Sequence, residues 1–119
     1  MSHVAQVQLS IANGGSDSPR LSDVWSKGQV RSTVGATSDL SIYCPAALTG
    51  VVTLQVAPKY NDVAGNFRPV QQGGADVTLA AGKVTNVKLG AFGDLRIHSA
   101  GVEAAQRDFD LVFQIRTDN

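Results

Sequence analysis

The chain has 119 residues, 43% of them hydrophobic and 17% charged, and its 10 basic and 10 acidic side chains cancel. That size makes one globular domain able to bury roughly two-thirds of its unfolded surface, which excludes disorder and removes any need for metal or disulfide staples. With no Lys/Arg run and one cysteine, Cys44, the sequence argues against nucleic acid or an anionic membrane as partner, and it excludes an intrachain disulfide or a multi-cysteine metal site.

The first ten residues, MSHVAQVQLS, lack a basic segment followed by an apolar run, so they do not read as a signal peptide. No apolar stretch approaches the ~20 residues that span a bilayer. Val7, Leu9 and Ile11 alternate with Gln6, Gln8 and Ser10, the period of a half-buried strand. Asn13 to Gly35 alternate poorly and hold the only tryptophan, Trp25. This stretch reads as a long loop or extended arm with an irregular strand over Gln29–Val34, so 1–34 are expected to form an arm plus the first strand. Leu40, Ile42 and Cys44 then alternate with Asp39, Ser41 and Tyr43, which predicts a strand with Cys44 as a buried, inert thiol. Val52, Leu54 and Val56 carry the next strand. It breaks at the polar tip PKYNDVAGN and resumes at FRPVQ, a hairpin with a long tip. Val77 and Leu79 share a face, AAGK makes a turn, and VTNVKL resumes. Leu95 and Ile97 oppose Arg96 and His98. GVEAAQRD, with at most one helical turn, connects to the strongest stripe, Phe109, Leu111, Phe113 and Ile115 against Asp108, Asp110 and Gln114.

About eight short strands separated by Gly- and Pro-rich turns predict an all-β fold, an antiparallel β-sandwich or jelly roll, as a single domain over 1–119. No stretch carries a long helical pattern, an internal repeat or a low-complexity tract.

The chemical inventory is thin. The chain has one glutamate, Glu103, and two histidines, His3 and His98. No pattern fixes a partner for either histidine. Asp108 and Asp110 stand two apart on an outward face, where solvating charge is the ordinary role. NDVAGN lacks the dense oxygen spacing of a calcium loop, and GGADVTLAAG leads into a strand without the Lys-Ser/Thr ending of a phosphate loop. These features predict no catalytic residue, no cofactor and no metal, hence no enzyme. Aromatic and arginine side chains are the better candidates, because they bury much area at low entropic cost. Trp25, Tyr43, Tyr60, Phe67 and Arg68 are the interface candidates. The competing expectation is that Trp25 and Phe67 cap the ends of the sandwich.

Three runs, IYCPAALTGVVTLQVAP, FRPVQQGGADVTLAAGKVTNV and LRIHSAGVEAAQRDFDLVFQIR, resemble a type of small bacteriophage virion protein. The shared features are P-A-A-L-T-G leading into a strand, a VTLAAGK hairpin, and L-R-I-x-S-x-x-x-E-A-A-x-R before a final apolar strand. The likeness covers about Asp39 to Arg116. Such chains are similar to the β-sandwich or jelly-roll decoration (cement) proteins of phage heads. The resemblance implies a structural protein on the capsid surface, made in the host bacterial cytoplasm. It also implies symmetric copies, a homo-oligomer with a dimer favoured, and binding to the major capsid protein. A tail, neck or fibre component and a carbohydrate-binding sandwich are the alternatives. For the latter, Tyr60, Asn61, Asp62 and Arg68 supply a loose sugar-contacting set.

Overall fold

The computed structural model describes residues 2–116, and the side chains of all of these except 2, 3, 34–38 and 116. Alternation is realised as long strands: β1 (Ser2–Ile11), β2 (Thr37–Tyr43), β3 (Val52–Ala57), β8 (Val84–Val87), β9 (Asp94–Ser99) and β10 (Arg107–Arg116). Four two-residue strands lie between: β4 (Arg68–Pro69), β5 (Gln71–Gln72), β6 (Ala75–Asp76) and β7 (Thr78–Leu79). One antiparallel sheet runs β1-β10-β2-β8. A second has β3 at its centre, paired with β4, β7 and β9, and β5-β6 form a small ribbon. Leu9, Ile11, Leu40, Ile42, Phe109, Leu111 and Phe113 from the first sheet meet Val52, Leu54, Leu79, Leu95 and Ile97 from the second in one continuous core. The expected all-β sandwich is therefore the observed architecture, with about ten strands because the chain from Arg68 to Leu79 breaks into short pieces.

The segment before Asp39 departs from expectation. It is not an arm. β1 pairs with β10 along its whole length, Ser2 opposite Arg116 and Ile11 opposite Arg107. Two helices follow, α1 (Leu21–Val24) and α2 (Lys27–Ala36), so the strand expected at Gln29–Val34 is helical. The sequence KGQVRSTVGA hides this, because its two glycines and β-branched residues are poor helix formers. Capping and packing override propensity. The Ser26 hydroxyl accepts the Gln29 N–H at 3.2 Å while the Gln29 side chain accepts the Ser26 N–H at 2.9 Å, a reciprocal cap. Val30 and Leu21 are buried in the core. Ser16–Ser18 lie along β9, where Ser99 N–H donates to Ser16 and Ser18 N–H donates to Ile97.

The hairpin opened by Val52 is present, since β3 pairs with β4 through Gln55–Pro69 and Val56–Arg68. Its long partner is β9, over six residue pairs. GVEAAQRD connects β9 to β10 without a helical turn. No helix among the described residues is long and apolar enough to cross a membrane.

Candidate functional site

The β3–β9 pair has two ends. Gly50, Ser99 and the loop to Glu103 stand at one. Pro58 to Asp62, Gly93 and Asp94 stand at the other.

At the first end Glu103 is fully buried. Its carboxylate accepts the N–H groups of Thr49 at 2.8 Å and Gly50 at 2.9 Å, the Ser99 hydroxyl at 2.7 Å and the Arg107 guanidinium at 3.0 Å. Burial alone pushes this carboxyl up, but the four bonds together outweigh it and hold it at about 2. Gly50 is required there, because a Cβ would fall 2.6 Å from Ser99 Oγ and 2.7 Å from the Gly101 nitrogen. Thr49 completes the clasp, its hydroxyl oxygen accepting the Ala104 N–H and the Arg107 side chain at 3.1 Å. Thus the P-A-A-L-T-G and E-A-A-x-R segments, remote in sequence, meet around one carboxylate. The sequence alone names Glu103 as the single glutamate but assigns it no role. The one available signal was that the chain's only glutamate precedes an arginine by four residues.

At the second end Asp94 is also fully buried. It accepts the Ser22 N–H and hydroxyl at 3.1 and 2.6 Å and the Asn61 N–H at 3.1 Å, tying α1 and the hairpin tip to the start of β9. Asn61 takes the left-handed conformation, φ 55°, which asparagine tolerates at a tight turn. Asp62 folds the rest of the tip by accepting from the Asn66 side chain and the Val63 and Lys59 N–H groups. The Asn66 bond is the main reason its carboxyl sits below the usual range.

The five interface candidates separate. Trp25 is half-buried against Phe113, ring centroids 5.4 Å apart. The Tyr60 hydroxyl donates to the Trp25 carbonyl at 2.8 Å. Phe67 is buried, and the Arg96 guanidinium lies 4.6 Å over its ring. The fold therefore uses these three aromatics internally. Arg68 is exposed and donates to the Gly65 carbonyl at 2.6 Å. Tyr43 is 49% exposed on the open face of the first sheet, where a shallow depression of about 570 Å³ also includes Gln6, Gln8 and Asp110.

Other side chains are placed as follows. His98 gains the partner that its strand did not reveal: its Nδ1 meets Asp17 at 2.5 Å, with Arg96 3.9 Å from the same oxygen. The His3 side chain lies outside the described residues. Cys44 is half-buried rather than buried, and desolvation raises its thiol above the ordinary value, away from nucleophilic use. Asp108 and Asp110 are exposed as expected and accept from Ser10 and Gln8 across the strand pair.

A cleft of about 580 Å³ opens between α2, the hairpin tip and the loop before β9, lined by Lys27, Val30, Arg31, Lys59, Tyr60 and Phe92 with Pro58 and Gly93. Cations that are scattered in sequence converge there.

No family model and no curated protein sequence matches the chain. Among solved structures it is similar to the crystal structure of Yersinia pseudotuberculosis-derived mitogen, at 9% identity and a TM-score of 0.46, over 100% of this chain and 91% of that one.

Proposed function

We propose that the protein is a non-catalytic structural component of a phage virion: a decoration or cement protein that binds the major capsid protein on the outside of the head and works as a homo-oligomer. The observation that carries the assembly reading is the outer edge of β1, which no strand among the described residues pairs. This strand is ten residues long and has no charged residue from Val4 to Ile11, no proline, and no break in its register with β10. The opposite edge of the same sheet, β8, is four residues long and flanked by Lys83 and Lys88. Natural sheets guard exposed edges with charge, brevity or bulges; β8 follows that rule and β1 does not. A second copy pairing antiparallel along β1 about a twofold axis joins two four-stranded sheets into one, with no like charges opposed. Repetition over a symmetric shell then sums modest affinities. The buried carboxylates support the non-catalytic part, since both Glu103 and Asp94 are fully occupied in holding loops.

Quantitative mass spectrometry of purified virions tests this. The expected result is a copy number comparable to that of the major capsid protein. A handful of copies per particle moves the protein to the tail, neck or fibres, and absence from the particle ends the virion reading.

The sugar-binding alternative is favoured by one observation, the exposed Tyr43 ring beside Gln6, Gln8 and Asp110 on the open sheet face. The set expected from sequence does not serve, because the Tyr60 hydroxyl and Asp62 are turned to internal partners. Binding on a glycan array that is lost with Tyr43→Ala is the result that selects this reading.

A further inference from the structure

We propose that the cleft beside Tyr60 binds an acidic peptide segment of the partner protein that carries apolar side chains; this deepens the assembly reading above and rests on it. The volume, about 580 Å³, lies inside the ~300–1,000 Å³ range of ligand sites. Its floor is apolar, with Val30 buried and Tyr60 and Phe92 half-buried. Its rim is cationic, with Lys27, Arg31 and Lys59 all exposed. Among the described residues no acidic side chain lines it. None of the three cations makes a salt bridge among the described residues. The neighbouring carboxylates are engaged elsewhere: Asp23 with Arg20, Asp94 with Ser22 and Asn61, and Asp62 with Asn66 and two N–H groups. Lys59 retains a through-space attraction to Asp62.

The placement on α2 goes against what helix stability favours. Lys27 and Arg31 are one turn apart on the same face, where like charges repel. Lys27 also stands in the first turn, at the positive end of the helix dipole, with no acidic residue in that turn to offset it. A local departure from stabilising chemistry without internal compensation marks a position held for another purpose. An incoming carboxylate supplies the missing compensation at Lys27 and Arg31 and adds to the attraction that Lys59 already has to Asp62.

The occupant follows from the lining. A bare phosphate has no use for the rings and Pro58, and the first turn of α2 is already capped by Ser26 and Gln29. The pairing of an apolar floor with a cationic rim suits an extended chain with its apolar side chains down and its acids at the rim. Recognition then combines apolar burial with charge complementarity, as at protein interfaces.

The test uses the full chain and two synthetic probes, acetylated Glu-Leu-Glu-Phe-Glu-Leu and its twin with glutamine in place of each glutamate. Amide chemical shifts are followed by NMR during titration. The acidic peptide is expected to move Lys27–Arg31, Lys59, Tyr60, Phe92 and Gly93. The glutamine twin is expected to leave them in place, and the double variant K27E/R31E to weaken binding about tenfold or more. No movement at these amides, or equal movement by both peptides, overturns the proposal. Equal movement by inorganic phosphate or a short oligonucleotide replaces it with a general polyanion site. A parallel arm adds wild type and K27E/R31E to purified capsids. If wild type ignores capsids while the acidic peptide still binds the cleft, the capsid reading fails and the site stands. If both proteins bind capsids equally, the site proposal fails and the capsid reading stands.

Discussion

At one end of the β3–β9 pair Glu103 is enclosed by four donors, and at the other Lys27, Arg31 and Lys59 ring an apolar cleft that no acidic side chain among the described residues lines. The ends are about 20 Å apart, the length of a six-residue strand. Burial accounts for the contrast. A charge removed from water must be matched within the fold, so the Glu103 end records what folding required. A charge left at the surface is free to be matched by something else. Structural and functional polar groups are thus separable here by asking which are already satisfied, and among the described residues no fully buried side-chain polar atom lacks a partner.

The sharpest way to break this comparison is Glu103→Ala. It leaves Arg107 and the Thr49 and Gly50 N–H groups without their acceptor, and we expect a loss of about 3–5 kcal/mol in urea unfolding. Acid does the same reversibly. The folded carboxyl lies at about 2, below its ordinary value of 4.5. Its contribution is therefore fully present above pH 4.5 and is lost as pH falls from there toward 2, amounting to about 3 kcal/mol. A urea midpoint that stays flat from pH 5 to pH 3 contradicts the clasp.

Paired glycine substitutions compare the two ends directly. Gly50→Ala drives a Cβ into Ser99 and Gly101, and Gly93→Ala drives one to 2.5 Å from the Lys59 carbonyl carbon. Each is expected to cost about 1–3 kcal/mol. Only Gly93→Ala should also alter binding of the acidic peptide, because it displaces Lys59.

Tyr60→Phe removes the 2.8 Å bond to the Trp25 carbonyl and keeps the ring. A loss of about 1 kcal/mol with peptide binding retained is expected. Retained stability together with lost capsid binding would instead make the hydroxyl an interface group. Gln6→Lys is the mildest change to the fold, within about 0.5 kcal/mol, since the side chain is exposed. It adds a like charge to both halves of the β1 pairing, so analytical ultracentrifugation should record dissociation to monomer. An unchanged oligomer, or a monomer already in the wild type, removes β1 as the joint.

Strands were legible because their signal is local: two-residue alternation at Leu9–Ile11 or Phe109–Phe113 is visible without knowing any neighbour. The clasp was not, because it exists only once Val52 is set opposite Ser99. α2 was hidden by Gly28, Thr33 and Gly35, and its stability comes from the Ser26–Gln29 cap and the burial of Val30. With the segment read as an arm, Trp25 stays open between an interface contact and a cap on the end of the sandwich. Its real neighbour, Phe113, lies in the last strand. Similarly, Lys59 joins Lys27 and Arg31 only through the fold, so a chain with no basic run still has a basic rim. The exposed Tyr43 was readable, since Ile42 faces inward beside it.

The pairing of β1 with β10 also has a consequence in time. Ile11 waits for Arg107. At ~5–20 residues per second, synthesis of the intervening chain takes roughly 5–20 s. Throughout that interval this strand is uncharged from Val4 to Ile11, alternating, and open along both edges. Growing chains on one messenger, held close together, expose the same strand to one another before any of them can close its first sheet.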